Sequence, residues 1–516
     1  MTRNLLAPLL ALTVVLMLWP APALAQGKAR LKLTVKETSL GRLGAAGETR
    51  SMAVSRDGNN VAILKKKGDK YVVVVNGKEG REYEWILANS LVFTSDPARC
   101  AYIVQQESRM FVVLDGKEGK KYHEIVGGEL YPAAAGGRLA YYARNDAKGK
   151  RFLVIDDEEG KEYDQVGNLA FSPDGKRVAY GVEAGGRQFF IIDGVPAREH
   201  EKVAGGSFVW SPDSKRYAYG AVKEGKVVVV IDGKEEAPCD EATRPVFSPD
   251  GQHIAYAVRN GTVWQLILDG RPVKEHERIF GDTVRFSPDS KRLAYMAGRR
   301  ETVKRDGKDV VLERRFYVVD GEEMRAYDLL VPNAFVFSPD SRRTAYVGVK
   351  NNRLVVVIDG IEGREYDDVR LVQFSPDSRR LAYLARRDNR AYAVVDNAEG
   401  LGYQSVGNLI FSSDGKRMAY VAARDKSAFI VVDGAEGRNY TNVIAETIAF
   451  SPDAKYIVYQ AQRDDRQFLV VDGEETKEFA GLVRGTGIVF DSPSSFHALV
   501  VRDNELFRMQ VDIAAE

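Results

Sequence analysis

The chain has 516 residues, 44% of them hydrophobic and 28% charged, and 74 Lys+Arg against 73 Asp+Glu leave a formal charge of +1. That balance excludes the basic footprint a nucleic-acid binder needs. Two cysteines cannot staple a small disulfide-rich scaffold.

The first element is a targeting segment. Arg3 gives a positive start, Leu5–Leu18 is apolar, and Ala23-Leu24-Ala25 is a small-residue cleavage site. This pattern predicts a secretory signal peptide (residues 1–25) removed after Ala25, and therefore a periplasmic or secreted protein. No Cys follows the site, so lipid anchoring is not expected, and no later stretch reaches the ~20 apolar residues of a membrane span.

Beyond residue 26 the chain repeats itself. FSPDGKRVAY at Phe171 returns as WSPDSKRYAY at Trp210, FSPDGQHIAY at Phe247, FSPDSKRLAY at Phe286, FSPDSRRTAY at Phe337 and FSPDSRRLAY at Phe374. FSSDGKRMAY at Phe411 and FSPDAKYIVY at Phe450 follow, and weaker copies start at Val54 and Phe93. The motif aspartates are Asp57, Asp96, Asp174, Asp213, Asp250, Asp289, Asp340, Asp377, Asp414 and Asp453, most of them 37 or 39 residues apart. The gap of 78 after Asp96 places a degenerate copy near Gly136–Tyr141, and another follows Phe490. About twelve units of strand-like content with a period near 40 form a propeller signature.

Each unit predicts four strands. Strand A ends at the motif Phe, B is the RxAY segment, C is the β-branched run before Asp-Gly, and D carries an aromatic column. The column reads Tyr83, Tyr122, Tyr163, His200, Cys239, His276, Tyr327, Tyr366, Tyr403, Tyr440 and Phe479. Ser-Pro-Asp supplies the A–B turn and Asp-Gly the C–D hairpin. The final unit stops four residues after Asp512 and so lacks a strand D, while Leu31–Ser39 lies spare at the other end. Pairing the two would close a ring without exposed edges.

These units resemble WD-type propellers and, more closely, the TolB-type repeat with its SPDG motif. The resemblance implies an all-β propeller, and it implies a non-enzymatic binding role, since TolB-like proteins dock with a peptidoglycan-associated lipoprotein. The α/β domain that precedes the propeller there is missing from this sequence. Propellers usually have four to eight blades, so twelve units predict two six-bladed rings, at 26–282 and 283–516. One twelve-bladed ring is the alternative, because no Pro/Gly/Ser-rich linker interrupts the register at Ile279–Thr283.

Chemistry should show as departure from the repeat. The motif aspartates read as turn caps, one per blade. The five histidines have no metal-ligand spacing, and no nucleophile elbow or phosphate loop occurs. No catalytic residue, metal or cofactor is therefore expected. Cys100 and Cys239 occupy different columns three units apart and are expected to be free thiols. Arg285 and Gln373 replace the apolar residue before the motif Phe and are expected to line the central channel. The largest departure is the stretch Arg299–Arg315, RRETVKRDGKDVVLERR, inserted between strands B and C, with Asp306-Gly307 able to turn a long arm. Its Arg299, Arg300, Lys304, Arg305, Lys308, Arg314 and Arg315 outnumber its four acidic residues, making it the candidate partner-binding surface. The sequence thus predicts a non-catalytic extracytoplasmic scaffold that binds a protein or cell-envelope polymer through its B–C/D–A loop face, without nucleic acid or membrane insertion. The alternative is a lactonase- or glycan-cleaving propeller enzyme with its site in the channel.

Overall fold

A computed structural model describes residues 31–44, 48–147, 149–305, 308–483 and 485–515. The expected signal peptide and the Asp306-Gly307 tip lie outside them. Regular structure in these residues is strand throughout, apart from two short 3-10 turns at Ala88–Ser90 and Val126–Gly128. The strands form twelve antiparallel sheets in the order A-B-C-D. Strands B and C are buried on both faces, whereas A is half-buried. In six blades A is split into two short pieces, and in the others a bulge interrupts its register.

The motifs do the jobs their chemistry allows, and most of those jobs join one blade to the next. In FSPD the Ser172 hydroxyl donates to Asp174 at 2.6 Å, and Asp174 also accepts the Lys176 amide. In the C–D hairpin the Asp has a positive φ, 50° at Asp193, and its carboxylate accepts the first amide of strand B, Val178, at 2.9 Å. The arginine of RxAY brackets the seam between blades. Arg177 donates through Nε to Asp193 of its own blade at 2.8 Å and through Nη1 to the Lys215 carbonyl of the next at 2.6 Å. Its guanidinium also lies 4.5 Å from the ring of Trp210, the next motif aromatic. Arg216, Arg292 and Arg417 repeat this arrangement.

The aromatic column forms a second seam at the outer rim. The hydroxyls of Tyr83, Tyr122, Tyr327, Tyr403 and Tyr440 donate to Glu118, Glu159, Glu362, Glu436 and Glu475 on strand D of the following blade, at 2.8–3.1 Å. His200 faces Glu235 at 3.3 Å in the same way. Glu235 also holds Lys223 and Arg198, which keep its carboxyl down at about 2. Cys239 stands in the column where the next blade offers Pro272 at the glutamate position, although Tyr163 keeps its hydroxyl opposite Pro196. Both cysteines are buried and free. Burial raises Cys100 to about 12 and Cys239 to about 11.

Ring size departs from the expectation of two six-bladed rings. Two such rings would pack blade 6 on blade 1 and blade 7 on blade 12. Instead each hydrophobic cluster is drawn from two consecutive blades, and the series runs unbroken through blades 6 and 7, where Ala257 and Leu266 meet Tyr295 and Phe316. It ends with Leu499 and Leu506 of blade 12 against Val61 and Ile63 of blade 1. The twelve blades therefore form one ring. The boundary expected at 282/283 falls inside strand A of blade 7 (Arg278–Phe286), within an ordinary seam. Blade 12 is completed by Leu31–Arg42, which pairs antiparallel with Glu505–Ala515 and sets Thr34 opposite Asp512.

Candidate docking site

The A–B and C–D turns lie at one end of every blade, and the B–C hairpins and D–A connections at the other. On the second face, blade 7 differs from the rest. Its strand B runs Leu293–Arg305 and its strand C Lys308–Val319, paired without a break down to Arg305 opposite Lys308. Strand A stops pairing at Arg278 opposite Gly298. Beyond that point the two strands continue as an arm with a free edge on each side.

Strand alternation sorts the arm's side chains. Ala297 and Phe316 face blade 6, so Arg299, Glu301 and Val303, with their partners Arg314, Leu312 and Val310, share that face. Met296 and Tyr317 face blade 8, so Arg300, Thr302 and Lys304 lie on the other face, with Val311 opposite Thr302 and 62% exposed.

The seven cations are not equivalent. Arg299 pairs with Glu323 at 2.8 Å and Arg314 with Asp328 and Glu301. Arg315 lies 3.6 Å from Glu313, and its guanidinium packs 4.9 Å from the Phe280 ring. Those three hold the arm to the blade. Among the described residues, Arg300, Lys304 and Lys308 make no ion pair; Arg300 lies near the root of the arm, and Lys304 and Lys308 lie toward the tip. The side chain of Arg305 lies outside the described residues. The net positive character expected of the whole insertion thus rests on Arg300 at its root and on Lys304 and Lys308 near its tip.

A cleft of about 850 Å³ opens at the root of this arm. Its walls are the short B–C hairpin of blade 6, with Arg259 and Trp264, the D–A connection at Glu277 and Arg278, and Arg299 and Arg300 of the arm. The cleft exists because blade 6 turns at Gly261–Thr262 while blade 7 carries its hairpin several residues further. His276 forms part of the wall. Burial lowers its pKa, and its Nε2 lies 3.0 Å from the Tyr295 hydroxyl, so it belongs to the seam. None of Arg259, Trp264, Glu277 and Arg278 was singled out from the sequence. The contrast in hairpin length between adjacent units was the available signal.

The two channel candidates lie on the innermost strands of their blades, away from the arm. Arg285 donates to the Phe335 carbonyl at 3.1 Å and to Asn333 Oδ1 at 2.8 Å, both at the inner strand of the next blade. Gln373 donates to the Leu409 carbonyl at 2.5 Å, again one blade on. Asn408 does likewise to Ala445. These polar side chains tie inner strands together and do not join the arm. Among the described residues no group of three or more His, Cys, Asp or Glu could hold a metal ion.

The sheets, their order and their closure define a multi-bladed β-propeller. No protein-family model matches the chain, and no curated protein matches it. Solved structures do resemble it. A eukaryotic initiation factor is 12% identical over 70% of this chain and 95% of its own, with a TM-score of 0.34. TolB from Acinetobacter baumannii is 14% identical over 67% and 79%, with a TM-score of 0.22. The propeller domain of Cps50 from Myceliophteria thermophila is 11% identical over 60% and 97%, with a TM-score of 0.21. These likenesses are of fold alone.

Proposed function

We propose that the chain is a non-catalytic, extracytoplasmic propeller of the TolB-type repeat class that holds a protein or cell-envelope polymer on its B–C/D–A face. The observation that carries this reading is the arm of blade 7. It extends past its blade with two free strand edges and three unpaired cations, and it contributes nothing to the hydrophobic core described above. Loops and extensions on a rigid scaffold are where binding residues concentrate. Elsewhere the polar departures from the repeat are used within the ring, which favours docking over channel chemistry. The leader at residues 1–25 supports a periplasmic or secreted location.

Replacing Arg300–Glu313 by a short Asn-Gly turn, which keeps Arg299 opposite Arg314, tests the proposal. Capture of an envelope partner should fall at least tenfold while the thermal midpoint stays within about 2 °C, since a two-residue hairpin suits the flanking strands. Undiminished capture would overturn the assignment of the arm. Turnover of a sugar, lactone or peptide substrate by the pure protein would overturn the non-catalytic reading.

A further inference from the structure

The arm's two edges are not alike, and one of them meets the cleft. In strand B of blade 7, residues of odd number from 293 turn their amides and carbonyls toward strand C: the Asp320 amide donates to the Leu293 carbonyl, and the Leu293 amide to Asp320. Residues of even number turn theirs the other way, as the Met296 amide shows by donating to Thr283 of strand A. Past Gly298 no strand lies beside them among the described residues. The Arg300 amide donates instead to the Glu277 carboxylate at 3.0 Å, across the mouth of the cleft. The amides and carbonyls of Thr302 and Lys304 come next on the same free edge, at exposed positions.

We infer that this edge accepts an extended acidic polypeptide segment as an added strand, seated in the line that strand A vacates at Arg278. The inference rests on the docking function proposed above and specifies its chemistry. Main-chain bonds to alternate residues supply affinity in such strand addition, and side-chain pockets supply selectivity. Here the main-chain donors and acceptors are those of Thr302 and Lys304. Arg300 and Lys304 flank them with unpaired positive charge, and Lys308 lies opposite near the tip, which selects carboxylates over amines. Glu277 caps the first outward amide as Asp164, Glu201 and Asp367 do in their blades, so the edge open to a ligand begins at Thr302. The cleft beside it, walled by Trp264, gives room for one apolar side chain of the segment. The opposite edge, along Asp309, Val311 and Glu313, is the acidic one.

The test uses the full chain and a blocked octapeptide of alternating glutamate and valine, with a lysine–valine octapeptide as control. The acidic peptide should bind and the basic one should not. Amide hydrogen exchange at Thr302 and Lys304 should slow at least tenfold in the saturated complex. Thr302→Pro removes one outward donor at a position where an edge strand tolerates proline. It should weaken binding roughly five- to tenfold, the worth of one hydrogen bond. Arg300→Glu should weaken it at least as much, and this variant leaves every main-chain donor in place. Absence of binding, or binding without protection of those two amides, overturns strand addition. Binding unchanged in Thr302→Pro overturns it too, while leaving charge-based docking intact. The docking proposal itself falls only if the trimmed arm still captures the envelope partner.

Discussion

Removal of residues 26–40 should open the ring, and the cost can be worked from the contacts that Leu31–Leu40 makes. Leu40 is 6% exposed between blades 12 and 1, where it touches Val61, Leu499 and Leu506. Leu31, Leu33 and Val35 are half-buried against the cluster of Phe496, Met509 and Val511. Full burial of a leucine is worth about 2 kcal/mol and half-burial about 1 kcal/mol, so these four side chains contribute about 5 kcal/mol. The strand also carries Glu37, which accepts both Nη atoms of Arg502 at 2.9 and 2.6 Å. Unfolding entropy near 2.1 cal/mol/K per residue gives a ring of this size about 1 kcal/mol/K, so the midpoint should fall by about 5 °C. The truncated protein would also expose strand C of blade 12 as an unpaired edge, and self-association should appear in light scattering. Scanning calorimetry measures the first effect. A midpoint within 1 °C of the intact protein, with unchanged transition width, would refute the assignment of this strand as the closing element.

Three further outcomes are expected. Histidine replaces the bracketing arginine at position 253, where it reaches Asp269 at 2.8 Å but has only a ring contact with Phe286 of the next blade. His253→Arg should stabilise that seam by about 1 kcal/mol, read as a rise in thermal midpoint, and a fall would show that the seam is built differently. Burial, then the bond to a glutamate of the next blade, pushes the Tyr83 and Tyr403 hydroxyls up to about 12. The native state therefore holds these protons where the unfolded chain, with an ordinary value near 10, has lost them. Their contribution is complete below about pH 10 and is lost as pH rises toward 12. Denaturant midpoints flat from pH 9 to 12 would contradict this. Finally, alkylation of the unfolded, unreduced protein should add two labels, and zero labels would reveal a disulfide that the seam geometry forbids.

Much of this was legible in the sequence, because each blade uses the same residues for the same contacts. The strand order, both hairpins, the degenerate third unit and the closing strand all followed from register. Arg285 and Gln373 were legible as departures but not in their use. A polar residue beside the motif Phe can point into a channel or reach a neighbour's carbonyl, and local spacing does not separate the two. The arm was plain from its length, but the division of its cations was not. Which arginines are neutralised depends on Glu323 and Asp328, which belong to other strands of the ring.

Of the two ring sizes the repeat allowed, the structure takes the single ring of twelve, and its physical determinant lies in a pairing between units. Sharing a full turn among twelve blades sets a 30° wedge between neighbours, and among six a 60° wedge. From strand A to strand D is three spacings of about 4.8 Å, so the narrow wedge widens the gap between sheets by about 7 Å and the wide one by about 14 Å. A tyrosine and a glutamate reaching toward each other can bridge the smaller gap at the rim. They cannot bridge the larger. The column tyrosines are bonded to glutamates one unit later at Tyr83–Glu118, Tyr122–Glu159, Tyr327–Glu362, Tyr403–Glu436 and Tyr440–Glu475. Where the next blade has proline instead, the column has Cys239 before Pro272 and Tyr163 before Pro196. Such rim bonds hold the outer strands close and so select the shallow wedge. Replacing Tyr122, Tyr403 and Tyr440 together by phenylalanine should therefore loosen the outer rim, with faster amide exchange on the D strands than on the A strands. Equal protection at both ends would mean that the inner bonds of Arg285, Gln373 and Asn408 set the wedge instead.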